Sequence, residues 1–190
     1  MDENLIDNLI NNLLQDRSLR GNSQNWANWM SELLPTSCKH CIEQHGKIFE
    51  VSVLDNKTEV QAHRNCKCIY VAMRTKTVGF VTDLGFDGAD VYLANWGVLP
   101  SYYVNKNQAQ KAGWQNWKGN LHEVFPNKMI GGDIYKNRDG KLPSATGRVW
   151  YEADINYYKG YRNRQRILYS NDGLMFATYD HYQTFYETAE

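Results

Sequence analysis

The chain has 190 residues, of which 42% are hydrophobic and 13% aromatic, which is enough apolar material for one or two folded domains. Lys plus Arg and Asp plus Glu number 21 each, so no global basic charge would attract nucleic acid. The sequence has neither a cationic leader before a short apolar run nor about twenty consecutive apolar residues, so we expect no signal peptide and no membrane span.

Two apolar stripes at helical spacing open the chain. The first follows acidic and capping residues and predicts a helix containing Leu5, Ile6, Leu9, Ile10, Leu13 and Leu14. The chain then breaks at Gly21-Asn22-Ser23. The second stripe predicts another helix that packs on the first, ends before Pro35 and contains Trp26, Trp29, Met30, Leu33 and Leu34.

All four cysteines lie in the next stretch. They occur as Cys38-x-x-Cys41 and as His63-x-x-Cys66-x-Cys68, on either side of a strand-like segment at residues 48–53. Tetrahedral zinc takes Cys and His ligands, and two such knuckles can close one shell. The spacing therefore predicts a structural zinc with five candidate ligands, whose binding would be coupled to folding. Two disulfides, or free buried thiols, are the alternatives.

The same stretch resembles the C-terminal module of phage minor head proteins of the Mu type. The resemblance covers about residues 36–70 and rests on Cys38-Lys-His-Cys41, His45-Gly-Lys-Ile-Phe49 and His63-Arg-Asn-Cys66-Lys-Cys68. It implies a delivery, entry or assembly role for an N-terminal domain, which we place at residues 1–78.

Residues 74–83 show no sustained period and predict a linker before a second domain at residues 79–190. Capping residues then predict three short helices. The first follows Asp87-Gly88-Ala89-Asp90 and ends at Gly97, the second runs from Asn105 to Lys111, and the third starts at Asn120. Residues 130–133 lack the spacing of a nucleotide-binding loop and indicate a strand entry.

The C-terminal part alternates apolar and polar residues, as antiparallel strands do. Strands are predicted at residues 148–155, 166–170 and 174–179, with a tight turn at Asn171-Asp172-Gly173 between the last two. Since side chains alternate between faces, Glu152 and Asp154 share one face. The pattern predicts an α+β fold whose helices cover one face of a sheet and leave the other face for substrate.

The residues near this strand suit cleavage of RNA by its own 2′-hydroxyl. Glu152 is the candidate base that removes the hydroxyl proton, and His181 is the candidate acid that protonates the departing 5′-oxygen. Arg162 and Arg166 supply fixed positive charge for the phosphate. This chemistry needs no metal, so we expect no catalytic cofactor.

This part of the chain resembles the barnase family of secreted bacterial ribonucleases, over about residues 86–187. The resemblance rests on Lys118-Gly-Asn-Leu, Ile130-Gly-Gly-Asp-Ile, Asn137-Arg-Asp-Gly-Lys-Leu-Pro, Glu152-Ala-Asp-Ile-Asn-Tyr and Asp180-His-Tyr-Gln-Thr-Phe. It implies a barnase-like antiparallel sheet packed on N-terminal helices. It also implies cleavage of single-stranded RNA through a 2′,3′-cyclic phosphate, with a preference for cleavage after guanosine.

By this resemblance, Glu152 falls on the general base and His181 on the general acid. Asp154 falls on a carboxylate that braces arginines. The cations that stabilise the phosphorane fall on Lys106, Arg162 and Arg166, and the substrate-binding positions on Tyr135, Lys136, Asn137, Arg138, Asp139 and Tyr182. Tyr135 and Tyr182 can stack on bases or pack in the core. Asp139 stands where the family usually carries glutamate, which is longer by one methylene.

A ribonuclease joined to a zinc-bearing module resembles the C-terminal region of a bacterial polymorphic toxin. That resemblance implies delivery by contact-dependent or phage-derived machinery, action in a target cell's cytoplasm, and an acidic, barstar-like immunity protein over Arg162, Arg166 and His181. One alternative is a non-catalytic module that binds RNA or a partner in a phage-derived structural protein. Another is a ribonuclease specific for one structured RNA, such as a tRNA.

Overall fold

The computed structural model describes residues 26–33, 37–54, 59–60 and 62–189. The chain divides into two compact units, residues 1–73 and 74–190. The division thus falls at Met73 and Arg74, slightly earlier than the boundary expected after residue 78. The helix predicted over residues 5–14 lies outside the described residues. Within these ranges, no helix reaches the length and hydrophobicity needed to cross a bilayer.

The first unit contains a four-stranded antiparallel sheet in the order β2-β1-β4-β3. Its strands are β1 (Trp26–Met30), β2 (Ile48–Glu50), β3 (Glu59–Val60) and β4 (Cys68–Ala72). A short helix, α1 (Lys39–Gln44), begins at the N-cap Cys38. The strand-like segment predicted at residues 48–53 is β2, which continues into a 3-10 turn at Val51–Leu54.

The helix predicted around Trp26 and Trp29 is wrong, because these residues form the central strand β1. Trp29 packs against Phe49 and Tyr70 on the two neighbouring strands, with ring centroids 5.9 and 5.8 Å away. Large aromatic side chains suit a pleated, half-buried surface. Their cross-strand burial outweighs the weak helical preference of a short segment.

The second unit contains a seven-stranded sheet in the order β5-β11-β10-β9-β8-β7-β6. The inner pairs from β7 to β11 are antiparallel, and the two edge strands pair in parallel. The strands are β5 (Thr75–Thr77), β6 (Tyr103–Val104), β7 (Met129–Tyr135), β8 (Trp150–Asp154), β9 (Arg166–Ser170), β10 (Met175–Thr178) and β11 (Tyr186–Ala189). The predicted C-terminal strands and the α+β class are confirmed.

The segment predicted as a linker is part of this sheet. Thr75 of β5 lies opposite Glu187 of β11 in a parallel pair, and the backbone N–H of Glu187 donates to the carbonyl of Arg74 at 2.9 Å. Residues 75–77 therefore cover the edge of the last strand.

Three helices lie before β7 at the predicted places: α2 (Ala89–Trp96), α3 (Lys106–Lys111) and α4 (Leu121–Val124). Gly97 ends α2 in the left-handed conformation, with φ +67°, which glycine adopts without steric cost. The core under α2 contains Ala89, Val81, Ala153, Ile155, Ile167 and Ala177. The core under α3 and α4 contains Ala109, Trp114, Leu121, Met129, Ile130 and Tyr157. Together they fix β8 and the start of the loop that follows it.

Candidate active site

Glu152 lies at the centre of β8, opposite Leu168 of β9. Because Ala153 and Ile155 face the α2 core, Glu152 and Asp154 point to the other face, as the alternation predicts. The Glu152 side chain is only 11% exposed. Lys106 Nζ donates to its Oε1 at 2.5 Å and the Tyr182 hydroxyl donates to its Oε2 at 2.5 Å.

Two opposing effects set the pKa of Glu152. Burial raises it, but the hydrogen bonds from Lys106 and Tyr182 and the positive charges of Lys106 and Arg162 outweigh burial and hold the pKa below its usual value. Burial and the same carboxylate raise the pKa of Tyr182, so its hydroxyl stays protonated and donating. Glu152 is therefore ionised at neutral pH, which is the form that accepts a proton.

Asp154 is fully buried and binds both arginines. Arg162 donates from Nε to Oδ2 at 2.7 Å and from Nη2 to Oδ1 at 2.6 Å. Arg166 Nε lies 2.9 Å from Oδ1 at an angle outside hydrogen-bond geometry, so this contact is an ion pair. The bidentate pair fixes the plane of the Arg162 guanidinium.

Each arginine keeps one donor group for a ligand. Arg166 Nη1 donates to the carbonyls of Asn163 at 2.8 Å and Gln165 at 2.6 Å, and Arg162 lies over the ring of Trp114 at 6.0 Å. Within the described part of the chain, Arg162 Nη1 and Arg166 Nη2 make no hydrogen bond. Both arginines are anchored through their other nitrogens, and Arg162 is close enough to lower the pKa of Glu152.

Lys106 is the first residue of α3. A capping box between Asn105 and Gln108 starts the helix. The backbone N–H of Lys106 donates to both oxygens of Asp133, at 3.3 and 3.0 Å. Asp133 follows a bulge in β7 at Gly132, where φ is +84°. The ammonium group of Lys106 lies on Glu152, because a carboxylate with so little exposure requires a positive partner.

His181 and Tyr182 occupy a strained loop after β10, with φ of 64° and 66°. Such non-glycine conformations cost on the order of 1–3 kcal/mol each. The carboxylate of Asp180 offsets this cost by accepting hydrogen bonds from Thr178, Gln183 and Thr184. The backbone N–H of His181 donates to the carbonyl of Arg164 at 3.0 Å, while the side chain of His181 is exposed. The loop thus presents an accessible imidazole next to the partner of Glu152.

Tyr182 has a role that sequence reasoning missed. Its ring stacks on Tyr135, with centroids 5.1 Å apart and planes inclined by 26°, and its hydroxyl binds Glu152. Base stacking and core packing were the two functions considered for these tyrosines. The only sequence signal for the contact with Glu152 was the position of Tyr182 immediately after His181.

The loop after β7 is closed by the Asn137 side chain, which exchanges two hydrogen bonds with the backbone of Leu142 at 2.8 and 3.0 Å. The loop borders a cavity of about 520 Å³, whose lining includes Tyr135, Lys136, Asn137 and Arg138. Asp139 is exposed and does not line it. Lys141 Nζ donates to the carbonyl of Tyr182 at 2.9 Å. The cavity loop is therefore tied to the loop that carries His181.

In the first unit, the five predicted metal ligands form two groups of three that share Cys41. The Sγ atoms of Cys38 and Cys41 lie 3.2 and 3.1 Å from His63 Nε2, and Cys41 Sγ lies 3.8 Å from Cys66 Sγ. The sulfurs of Cys41, Cys66 and Cys68 lie within 4.8 Å of one another. All four cysteines are free thiols, so the two-disulfide alternative does not describe this structure.

Comparison with known proteins identifies relatives of part of the chain. Residues 89–189 match the ribonuclease family. The chain is 55% identical over 100 residues to a ribonuclease of Heyndrickxia coagulans, which covers 53% of this chain and 92% of that protein. It is also 55% identical over 100 residues to ribonucleases of Bacillus intermedius and Bacillus pumilus, covering 53% of this chain and 62% of each of them. The family match lies within the second unit.

Proposed function

The chain is an endoribonuclease of the ribonuclease family, and from this premise we propose that it cleaves single-stranded RNA through a 2′,3′-cyclic phosphate. The observation that carries the proposal is the position of Glu152. Its carboxylate is ionised by Lys106 and Tyr182 and shares a sheet face with Asp154, which holds two arginines. The general base therefore lies on the same strand, β8, as the carboxylate that holds Arg162 and Arg166, and we call these two arginines the phosphate clamp.

In the first step, Glu152 takes the proton of the 2′-hydroxyl as that oxygen attacks the adjacent phosphorus. Both carboxylate oxygens already accept one hydrogen bond, and each has a second lone pair for the incoming proton. Lys106 has two further N–H donors that can bind a phosphate oxygen. Positioned acid or base groups of this kind contribute about 10²- to 10⁴-fold each.

Charge that builds on the phosphoryl oxygens is stabilised by Arg162 Nη1 and Arg166 Nη2. Asp154 holds both guanidiniums before substrate arrives, so little reorganisation is required during the reaction. Fixed donors of this type are worth on the order of 10²- to 10³-fold each.

His181 supplies the proton to the departing 5′-oxygen, since its imidazole is exposed and its backbone is held to Arg164. In the second step the roles reverse: His181 removes a proton from water, and Glu152 returns its proton to the 2′-oxygen. The cyclic phosphate then opens to a 3′-phosphate. The nucleobase on the 5′ side of the scissile phosphate enters the cavity beside Asn137 and Arg138. By resemblance to the barnase family, this cavity is the guanine site.

Analysis of product ends tests this function. A mixed-sequence single-stranded RNA incubated with the full chain in EDTA should yield 2′,3′-cyclic phosphate ends that convert slowly to 3′-phosphates. Products with 5′-phosphates would contradict the mechanism. If this RNA stays intact while total tRNA is cut, the enzyme is specific for a structured RNA. If the folded chain cleaves neither RNA, the result would favour the alternative of a non-catalytic binding module.

For the first unit we propose one structural zinc ion, bound by Cys38, Cys41, His63 and Cys66. His63 Nδ1 hydrogen-bonds the carbonyl of Arg64 at 2.9 Å, which leaves Nε2 with its lone pair toward the sulfurs, as in metal-bound histidines. Zn–S bonds of about 2.3 Å place two sulfurs of a tetrahedron about 3.8 Å apart, which matches the distance from Cys41 to Cys66. Cys68, the fifth candidate ligand, is buried beside Trp29 and is not a zinc ligand in this proposal.

The zinc proposal is tested by metal analysis of the full chain and of two variants. The chain should bind one equivalent of zinc, and Cys38→Ser should lose it, whereas His40→Ala, on the same helix, should retain it. Zinc removal should lower the melting temperature of the first unit and leave RNA cleavage unchanged. A zinc-free chain with unchanged stability would contradict the proposal.

The biological setting that we propose is a toxin delivered into the cytoplasm of a target cell, with an acidic inhibitor protein in the producer. The resemblance of residues 36–70 to phage head proteins supports the delivery role. Arg162 and Arg166 beside the exposed His181 offer a cationic site that an acidic surface would complement. Expression of the second unit should arrest growth unless such an inhibitor is co-expressed, and harmless expression of an active enzyme would contradict this setting.

A further inference from the structure

Two large aromatic side chains stand exposed beside the phosphate clamp. Trp117 is 72% exposed and Tyr161 is 69% exposed. Trp117 lies in the 3-10 turn Asn116–Lys118, and Tyr161 directly precedes Arg162 in the loop after β8. The Tyr161 hydroxyl donates to the carbonyl of Trp117 at 3.1 Å. This hydrogen bond joins two separate segments, and we refer to Trp117 and Tyr161 as the aromatic pair.

The backbone under this pair is held firmly. A side chain on Gly119 would come within 2.9 Å of the backbone of Gly160 and Tyr161, so the two segments touch backbone to backbone. The N–H of Gly160 donates to His122 Nδ1 at 3.2 Å, and its carbonyl accepts from the Tyr157 hydroxyl at 3.0 Å. The pair therefore stands on a packed base rather than on a free loop.

The position of the aromatic pair relative to β8 indicates which part of a bound RNA strand it would contact. The cavity beside Tyr135 and Trp150 lies at the start of β8, whereas Asp154 and its partner Arg162 lie at the end of β8. A rise of about 3.3 Å per residue separates these ends by about 13 Å, with Glu152 between them. An RNA strand that places one base in the cavity and its phosphate at Glu152 continues toward Arg162. Tyr161 directly precedes Arg162 in the sequence, so it lies at that end of the route.

We propose that Trp117 and Tyr161 form a stacking platform for a base of the leaving strand, on the 3′ side of the scissile phosphate. This inference rests on the ribonuclease function proposed above. Aromatic faces stack on any base, so the platform favours longer RNA without selecting sequence. Lys118 and Lys159, both exposed neighbours of the pair in sequence, add attraction for the phosphates of that strand.

The test compares two substrates that share one cleavable step: a dinucleotide, and the same dinucleotide extended by three nucleotides on its 3′ side. In the wild type, the extension should raise kcat/KM. Trp117→Ala and Tyr161→Ala should reduce kcat/KM for the extended substrate by about five- to hundred-fold, the range expected for a lost stacking contact, and leave the dinucleotide unchanged. Trp117→Phe should restore most of the loss.

Trp96→Ala is the matched control, since Trp96 is 62% exposed but lies on α2, which covers the opposite face of the sheet. It should leave both substrates unchanged. Equal effects of the alanine variants on both substrates, or no effect on either, would overturn the platform and assign the pair to folding or to a protein partner. Failure of the wild type to cleave either substrate would instead overturn the ribonuclease mechanism, and the platform with it.

Discussion

The hydroxyl of Tyr182 lies 2.5 Å from Oε2 of Glu152, a residue 30 positions earlier in the chain. The loop that presents His181 therefore also holds the carboxylate of the central strand. Lys106 completes the arrangement from α3. Three separate elements thus meet at one carboxylate, and its ionisation depends on all of them.

Loss of either partner should change the titration of Glu152. Because burial alone raises the pKa of Glu152 and the two partners lower it, Tyr182→Phe and Lys106→Ala should each raise it. The acid limb of the profile of kcat/KM against pH should move to higher pH in both variants. Tyr161→Phe is the control. It removes a hydroxyl that binds the carbonyl of Trp117 rather than Glu152, so it should leave that limb unmoved. An unshifted limb in both test variants would show that these contacts do not control the base.

The same pKa has a consequence for stability. The folded-state pKa of Glu152 lies below its ordinary value of about 4.5, so the ionised form favours the fold. This contribution is fully present above pH 4.5 or so and is lost as the pH falls through the folded value. Between pH 5 and pH 3, denaturant titration should show a smaller loss of stability for Glu152→Gln than for the wild type. An equal loss would contradict the assigned direction.

Asp154 should contribute to the stability of the fold as well as to activity. Asp154→Asn leaves the half-buried Arg162 and the buried Arg166 without their common charge partner, and breaking a buried ion pair in this way costs about 3–5 kcal/mol. Asp172→Asn is the matched control, because Asp172 pairs with Arg148 while its own side chain is 43% exposed, and pairs with an exposed partner contribute about 1 kcal/mol or less. Urea unfolding of both variants measures the difference. Similar small losses would mean that Asp154 does not brace the arginines.

Asp139→Glu tests the base-recognition loop. The longer carboxylate restores the residue that the barnase family usually carries, so guanosine preference should rise in a comparison of four dinucleotides that differ only in the first base. Asp172→Glu, a carboxylate in the turn between β9 and β10, serves as the control. An unchanged preference would place base recognition elsewhere.

The hairpin and the short helices of the second unit could be predicted from the sequence, because turn and capping residues specify them within a few positions. The Asn171-Asp172-Gly173 turn fixes the hairpin of β9 and β10, and the cap at Asn105 fixes α3. The contacts of Glu152 were not readable from pattern alone, since Lys106 is 46 residues away. Placing Glu152 and Asp154 on one face required only the alternation of a strand, whereas the ion pairs of Asp154 depend on how the following loop folds back.

Two misassignments share a physical cause. Trp26 to Met30 fit a helical period, but the outcome was decided by Phe49 and Tyr70 on strands that come later in the chain. Thr75 to Thr77 carry no pattern of their own, and they become a strand because the backbone of β11 needs a partner at its edge. In both cases a long-range contact overrode weak local preference.

The most direct test of the account is the pH profile of kcat/KM for a dinucleotide, measured for the wild type, Glu152→Gln and His181→Ala. A base and an acid give a bell-shaped profile. Glu152→Gln should lower kcat/KM by about 10²- to 10⁴-fold and abolish the acid limb, whereas His181→Ala should abolish the alkaline limb. A profile that keeps its acid limb in Glu152→Gln would show that another group removes the 2′-hydroxyl proton.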